Sequence, residues 1–279
     1  MTLSNQTFDM HAWFHPLLER LNKAGISNAQ QELFWMFNEL GIKPPYDQPQ
    51  PKAVDSLDQW IKRREKGEPL AYLFGHWSFM GFELKVNQNV LIPRAETETM
   101  VEAILAKQPE NTALDVLELG TGPGSIAIAL AKHRPLWTIT ASDNSLAALH
   151  IARQNITKQQ VLTQIQLIHS HWFEQITNTF DLIISNPPYL SEEEYQQNTD
   201  LIWEPKSALV SHSNGLSDFE VLIKGAKKHL KPSGTCYFEH GHQQFEPIKT
   251  MAIDQFQTIT SGKDLSQKQR FIILSKAIL

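Results

Sequence analysis

Asn186-Pro187-Pro188-Tyr189 has the composition of a grip for a flat NH₂ group. An amide or aromatic amino nitrogen is a poor nucleophile, because its lone pair is delocalised into the neighbouring π-system. Two acceptors aimed at its two N–H bonds fix its orientation and favour pyramidal geometry, which frees the lone pair. The side-chain carbonyl of Asn186 can be one acceptor. The backbone carbonyl of Pro187 can be the other, since paired prolines rigidify the chain and set where its carbonyls point. Tyr189 offers a face on which a planar group can stack. A strong base is not required, because the substituted nitrogen becomes acidic and sheds its proton afterwards. Orientation and electrostatic preorganisation then carry the catalysis. As a bare tetrapeptide the same residues also read as a turn that ends a strand, so their surroundings must decide.

A second stretch supplies those surroundings. Glu118-Leu119-Gly120-Thr121-Gly122-Pro123-Gly124 is a glycine-rich turn between a short apolar strand and a helix. Glycines permit positive φ and close approach of backbone to a ligand, and the helix that follows offers unpaired N–H groups. The dinucleotide fingerprint would need glycine at 125, where Ser125 stands. A carboxylate at Glu118 disfavours a pyrophosphate and suits a ligand with an ammonium group, such as the methionine part of S-adenosylmethionine. Asp143 ends the next strand, where an acidic side chain accepts from both ribose hydroxyls. The alternative is a structural tight turn with a capping aspartate.

Bulk properties bound what such sites can belong to. The chain has 279 residues and a formal net charge of −5, enough for one large α/β domain and a small accessory one. The acidic balance weighs against stable nucleic-acid binding. The basic cluster Lys62, Arg63, Arg64, Lys66 reads as the solvated face of a helix. No stretch has the apolar length of a membrane span, and the N-terminus lacks the pattern of a secretory signal. The single cysteine, Cys236, fits a reducing cytoplasm. The eleven histidines meet no metal motif. His240 and His242, a close pair at a strand end, are taken as structural, and no metal is expected.

The elements follow from periodicity. A first helix is expected over 9–23, with Pro16 as a kink or false start. Ser27 with Gln30 reads as a capping box for a second helix, with Leu33, Met36, Phe37 and Leu40 on its apolar face and Gly41 as its stop. The proline-rich stretch from Pro44 to Pro51 reads as loop. Ser56 with Gln59 starts a third helix that Gly67 ends, and Trp35 and Trp60 read as core residues. Residues 1–75 thus form a small helical domain, and 76–92 a hairpin or linker. Strands are expected at 116–119, 137–142, 165–168, 180–185, 234–239, 256–260 and 270–274. Helices fall after the glycine-rich turn, at 147–155, at 219–230 and at 245–253. Alternating strands and helices imply a mostly parallel sheet covered on both faces, with ligands bound beyond the carboxyl ends of its strands.

At these residues the chain resembles the class I S-adenosylmethionine-dependent methyltransferases, and within them the HemK/PrmC family of release-factor glutamine methyltransferases. Gly67-Glu68-Pro69-Leu70-Ala71-Tyr72 with Gly75 and Phe79 is similar to the family's interdomain signature. Leu91-Ile92-Pro93-Arg94-Ala95-Glu96-Thr97-Glu98 is similar to its Pro-Arg-Pro-[Asp/Glu]-Thr-Glu segment, the more family-specific signal. Trp203-Glu204-Pro205 with Ala208-Leu209, Glu239-His240-Gly241 and Gln243-Gln244 also match. The resemblance implies a Rossmann-like domain over 93–279 with a seven-stranded sheet, and a helical domain that helps grip the substrate. It implies N5 methylation of the glutamine in the Gly-Gly-Gln motif of peptide chain release factors. S-adenosylmethionine would be the donor and S-adenosyl-L-homocysteine the product, and a cytoplasmic monomer is expected. Gly120, Thr121, Gly122, Pro123 and Gly124 would cradle the cofactor, Asp143 would hold the ribose, and Trp172 would lie beside the adenine. Residues 186–189 would hold the glutamine.

Three positions depart from the family pattern. His171 stands where an acidic residue commonly precedes Trp172, Ala95 stands for a proline, and Gln267 for a glycine. Other readings share the same four residues at 186–189. One is a DNA or RNA amino-methyltransferase acting on a flipped or unpaired base. Another is a ribosomal-protein glutamine methyltransferase. A third is a non-catalytic cofactor-binding scaffold.

Overall fold

The computed structural model describes residues 10–42 and 50–278. Contacts divide the chain into two compact units, Met1–Gly75 and His76–Leu279.

The first unit is helical among its described residues. Helix α1 spans Met10–Lys23 and passes through Pro16 as one helix; the expected start at Asp9 lies outside the described residues. Helix α2 spans Ala29–Glu39 and buries Leu33, Met36 and Phe37. The expected capping box at Ser27 does not form. Gly25 at φ +81 turns the chain out of α1, and Ile26 bonds back to Leu21, so Asn28 takes the capping position without a side-chain bond. Gly41 at φ +67 stops the helix as expected. Trp35 is 44% exposed rather than buried, because it falls off the stripe formed by positions 33, 36 and 37. Helix α3 spans Pro51–Arg64 and so begins well before Ser56. Pro51, expected in a loop, sits at the first helical position, where a missing N–H costs nothing. The rest of the proline-rich stretch lies outside the described residues. Trp60 is half-buried and packs on Phe74 with ring centroids 5.1 Å apart; Phe74 ends α4, Leu70–Phe74. The basic cluster is not simply solvated. The Arg64 guanidinium donates to Glu32 at 2.6 and 3.0 Å, tying α3 to α2, and Arg63 donates to the buried Glu68 at 2.8 Å.

The second unit opens with a hairpin of β1, His76–Phe79, and β2, Phe82–Lys85. Its turn residues Met80 and Gly81 have φ of +50 and +78, the two-residue geometry that matches strand twist. Helix α5, Ala95–Lys107, follows where the sequence reading assigned no element. The alternation then runs β3 Asp115–Leu119, α6 Ser125–His133, β4 Thr138–Asp143, α7 Leu146–Lys158, β5 Ile165–His169 and β6 Phe180–Ser185. After β6 come α8 Glu192–Gln197, α9 His212–Gly215, α10 Ser217–His229, β7 Leu230–Glu239, α11 Phe245–Ala252, β8 Phe256–Lys263 and β9 Gln269–Ala277. The seven strands from β3 to β9 form one sheet in the order β5-β4-β3-β6-β7-β9-β8. The first five are parallel, and β9 inserts antiparallel between β7 and β8.

Side-chain alternation along the strands explains the layering. Val116, Leu182, Ile184, Tyr237 and Ile273 face one apolar cluster, built with Met100, Val101 and Ile104 of α5 and residues of α6 and α7. Leu117, Leu119, Ile183, Cys236, Phe238, Ile272 and Leu274 face the other, built with α10 and α11. Both faces are covered, as central parallel strands require. Strand β3 is the middle one of the five parallel strands, and the connections from its two neighbours leave in opposite directions. The carboxyl ends of β3, β4 and β6 therefore converge at a switch point, where open α/β sheets bind ligands.

Candidate active site

The glycine-rich turn leaves β3 at this convergence. Gly120, Gly122 and Gly124 have φ of +72, +54 and +86, which side-chain-bearing residues rarely adopt. Neighbouring strands hold the turn from both sides. The Ser142 hydroxyl at the end of β4 donates to the Glu118 carbonyl at 3.3 Å, and the Ser185 hydroxyl at the end of β6 donates to the Leu119 carbonyl at 2.8 Å. Glu118 is almost fully buried, and one of its oxygens accepts from the Thr121 hydroxyl at 2.8 Å and from the Ala127 amide of α6 at 3.0 Å. The carboxylate thus braces the turn from inside as well as lining a cavity. Burial pushes its pKa up to about 8, against the pull of those two hydrogen bonds.

Asp143 accepts from the Gly122 amide at 2.8 Å with one oxygen and from the Ser145 amide at 2.9 Å with the other. Burial raises its pKa from the ordinary value. It therefore links the turn to the start of α7, and its remaining lone pairs face the same cavity. Trp172 has φ +47. Its indole N–H donates to Asp218 at 3.0 Å, and its ring edge lies against Gly120, where an added Cβ would come within 3.8 Å.

One cavity of about 540 Å³ joins these groups, within the range of about 300–1,000 Å³ usual for small-molecule sites. Glu118, Gly120, Thr121, Gly122, Pro123, Asp143 and Trp172 line one part. Thr97, Asn186, Pro188 and Pro205 also line it. Gly124 does not line the cavity; it caps α6, where a Cβ would press on Ile128 at 3.3 Å. Pro187 and Tyr189 are not among the lining residues either. Tyr189 packs against the cluster under α10 and α11, and burial raises its phenol pKa. Its backbone is fixed more firmly than its sequence context suggests. The Gln244 amide donates to its carbonyl at 2.8 Å, and its N–H donates to Leu209 at 3.1 Å.

Asn186 is the cavity-facing end of a polar chain that runs inward. Its side-chain NH₂ donates to the Thr97 hydroxyl at 3.1 Å, and that hydroxyl donates to Glu239 at 2.6 Å. Among the described residues none donates to Asn186 Oδ1 or to the Pro187 carbonyl. A further anchor lies beside it. Glu204, buried, accepts from the Ile92 amide at 3.0 Å with one oxygen and pairs with Arg94 through the other. The Arg94 segment is thereby held to the loop that follows β6. Thr97, Glu204, Glu239 and Gln244 stand in the segments that carry the family resemblance, but the sequence assigns them no individual role, and it does not mark Asp218. Their partners lie far along the chain, so no local spacing reveals these contacts.

Residues 95–275 match the model of the methyltransferase small domain. The release factor glutamine methyltransferase of Coxiella burnetii (strain RSA 493 / Nine Mile phase I) is 41% identical over 220 residues, covering 78% of this chain and 79% of that protein. That of Shewanella oneidensis is 37% identical over 229 residues, covering 79% of each. The chain belongs to the release factor glutamine methyltransferase family. In fold this family member also resembles the T. thermophilus 16S rRNA N2 G1207 methyltransferase in complex with AdoMet and guanosine. The TM-score is 0.54 at 17% identity, over 72% of this chain and 49% of the other.

The three departures from the family pattern each find a place. Ala95 is the first residue of α5, a position that proline would also satisfy. His171 is exposed at the cavity edge, 3.3 Å from Glu174. Gln267 sits in the β8–β9 turn at φ +62, a conformation natural to the glycine it replaces.

Proposed function

We propose that this methyltransferase transfers the methyl group of S-adenosylmethionine to the side-chain nitrogen N5 of the glutamine in the Gly-Gly-Gln motif of peptide chain release factors. The observation that carries the reading is Asn186. Its NH₂ is committed to Thr97 while its carbonyl stays without a described partner, in the cavity that also holds Glu118 and Asp143. The residues fit the cofactor by chemistry. The positive-φ turn gives backbone access, Glu118 suits an ammonium group, and Asp143 suits ribose hydroxyls. The ring of Trp172 suits the adenine.

When bound, S-adenosylmethionine supplies an electrophilic methyl on a sulfonium and leaves as S-adenosyl-L-homocysteine. The rest is done by the chain. Asn186 Oδ1 and the Pro187 carbonyl accept the two N–H bonds of the glutamine amide and turn its lone pair toward the methyl carbon. The substituted nitrogen would then shed its surplus proton to water, so no side chain of the site has to act as a strong base. Holding a weak nucleophile in line supplies most of the acceleration. Pro188 shapes the wall beside the acceptor, and Tyr189 stiffens the segment from beneath. The helical unit, 1–75, recognises the release factor, 76–92 is the hairpin and linker that follow it, and 93–279 carries the transfer. The protein acts as a cytoplasmic monomer without stable nucleic-acid binding.

Incubation with labelled S-adenosylmethionine and, in parallel, release factor, ribosomal proteins, DNA and RNA tests this. Label is expected on the release factor and lost when its Gly-Gly-Gln glutamine is changed. Label on nucleic acid or on a ribosomal protein instead would overturn the substrate assignment. Asn186→Ala is expected to abolish turnover with cofactor affinity kept within about tenfold, since the lost interaction belongs to the transition state.

A further inference from the structure

We propose that Thr97 and Glu239 are positioning residues whose hydrogen-bond chain fixes which end of the Asn186 amide faces the methyl acceptor. The two ends of an asparagine side chain are nearly equal in size, so packing alone does not choose between them. The choice matters here. A carbonyl at the cavity grips an NH₂ group, whereas an NH₂ there repels it.

Hydrogen-bond polarity makes the choice. Thr97, 4% exposed in the first turn of α5, has one hydrogen to give. Glu239, fully buried at the end of β7, is an acceptor at Oε2, 2.6 Å from the Thr97 oxygen. The hydroxyl hydrogen is therefore spent on Glu239, and only lone pairs of Thr97 remain toward Asn186. Asn186 must answer with its NH₂, at 3.1 Å, which turns Oδ1 the other way. A flipped amide would set two acceptors against each other in a buried place. Glu239 Oε1 is buried with no partner among the described residues, a costly arrangement for a group with no other task. The chain spans three elements, so α5 and β7 jointly dictate the orientation of a side chain at the end of β6.

This inference rests on the reading that Asn186 holds the acceptor amide, and the experiment separates the two. Turnover, KM for release factor, S-adenosylhomocysteine affinity and melting temperature are measured for Thr97→Val, Thr97→Ser, Asn186→Ala, Asn186→Asp and the double variant Asn186→Asp/Glu239→Gln. Thr97→Val keeps the shape and removes both bonds. It is expected to lower kcat at least about tenfold with cofactor affinity nearly unchanged, as misorientation of a catalytic group does. Thr97→Ser keeps most of the rate. Asn186→Asp meets the lone pairs of Thr97 with an acceptor and loses activity. Adding Glu239→Gln lets the chain run in reverse, from Gln through Thr97 to Asp, and restores part of the rate. Strictly additive losses in the double variant, or wild-type kcat in Thr97→Val beside an inactive Asn186→Ala, would overturn the relay and leave Asn186 in place. Full turnover by Asn186→Ala would overturn the underlying reading itself.

Discussion

Glu118 is a carboxylate held where charge is expensive, and its titration tests the ammonium contact proposed for it. Burial lifts its pKa from the ordinary 4.5 to about 8. In the free protein the folded state keeps this proton across that interval while the unfolded chain has lost it. The folded state then binds more protons, so stability from this group falls as pH rises from about 4.5 to 8. An ammonium group bound against Glu118 favours the ionised form. Binding of S-adenosylhomocysteine near pH 7 should therefore expel up to about one proton, and affinity should rise as pH is raised from 6.5 toward 8. Titration calorimetry in two buffers of different ionisation enthalpy measures the proton count, and Glu118→Gln should abolish it. No proton release, with affinity flat over that range, would place the ammonium elsewhere. Glu239 is also lifted by burial, to about 7. Since Oε1 has no partner among the described residues, it can take up the proton while Oε2 goes on accepting from Thr97, and the proposed orientation of Asn186 is expected to persist through neutral pH.

At the scale of elements, the chain placed its strands legibly and its caps poorly. Every strand of the seven-stranded sheet overlaps the run that marked it, with β4 starting one residue later than expected, at Thr138; the parallel strands stood out because buried strands are dense in Val, Ile and Leu. The glycine turn and Asp143 were readable because each needs a specific residue at a specific strand end. Helix starts were less readable: Ser27 and Ser56 carry capping-box patterns, yet the preceding chain sets the phase of α2 and Pro51 starts α3 early. The polar chain from Asn186 through Thr97 to Glu239 was invisible, since it depends on the sheet order that brings α5, β6 and β7 together. The β8–β9 turn offers a test at this scale. It is fastened by Asp264, which accepts from the Lys268 amide at 3.0 Å and pairs with Arg270 at 3.0 Å. Within it Gln267 is held at φ +62. Left-handed backbone costs a residue with a Cβ roughly 1–2 kcal/mol, partly offset by the greater unfolded entropy of glycine. Gln267→Gly should stabilise the protein by about 0.5–1 kcal/mol in urea denaturation without altering kcat. A loss of stability would show that the Gln267 side chain makes compensating contacts.

The residues assigned to the reaction meet in one cavity of the second unit, which takes its walls from the segment after the hairpin, the glycine turn, the ends of β4 and β6 and the loop around Pro205. The proposed donor and acceptor sites share this space, and Asn186 at its edge is held through Thr97 of α5 and Glu239 of β7 rather than by its own loop. Among the described residues no helix is long and apolar enough to cross a membrane. The most direct test is a crystal structure of the protein with S-adenosylhomocysteine and a Gly-Gly-Gln peptide. The glutamine NH₂ is expected within about 3.2 Å of both Asn186 Oδ1 and the Pro187 carbonyl, with its nitrogen pointing at the sulfur. A glutamine bound away from these oxygens, or an Asn186 amide turned with its NH₂ into the cavity, would contradict the account.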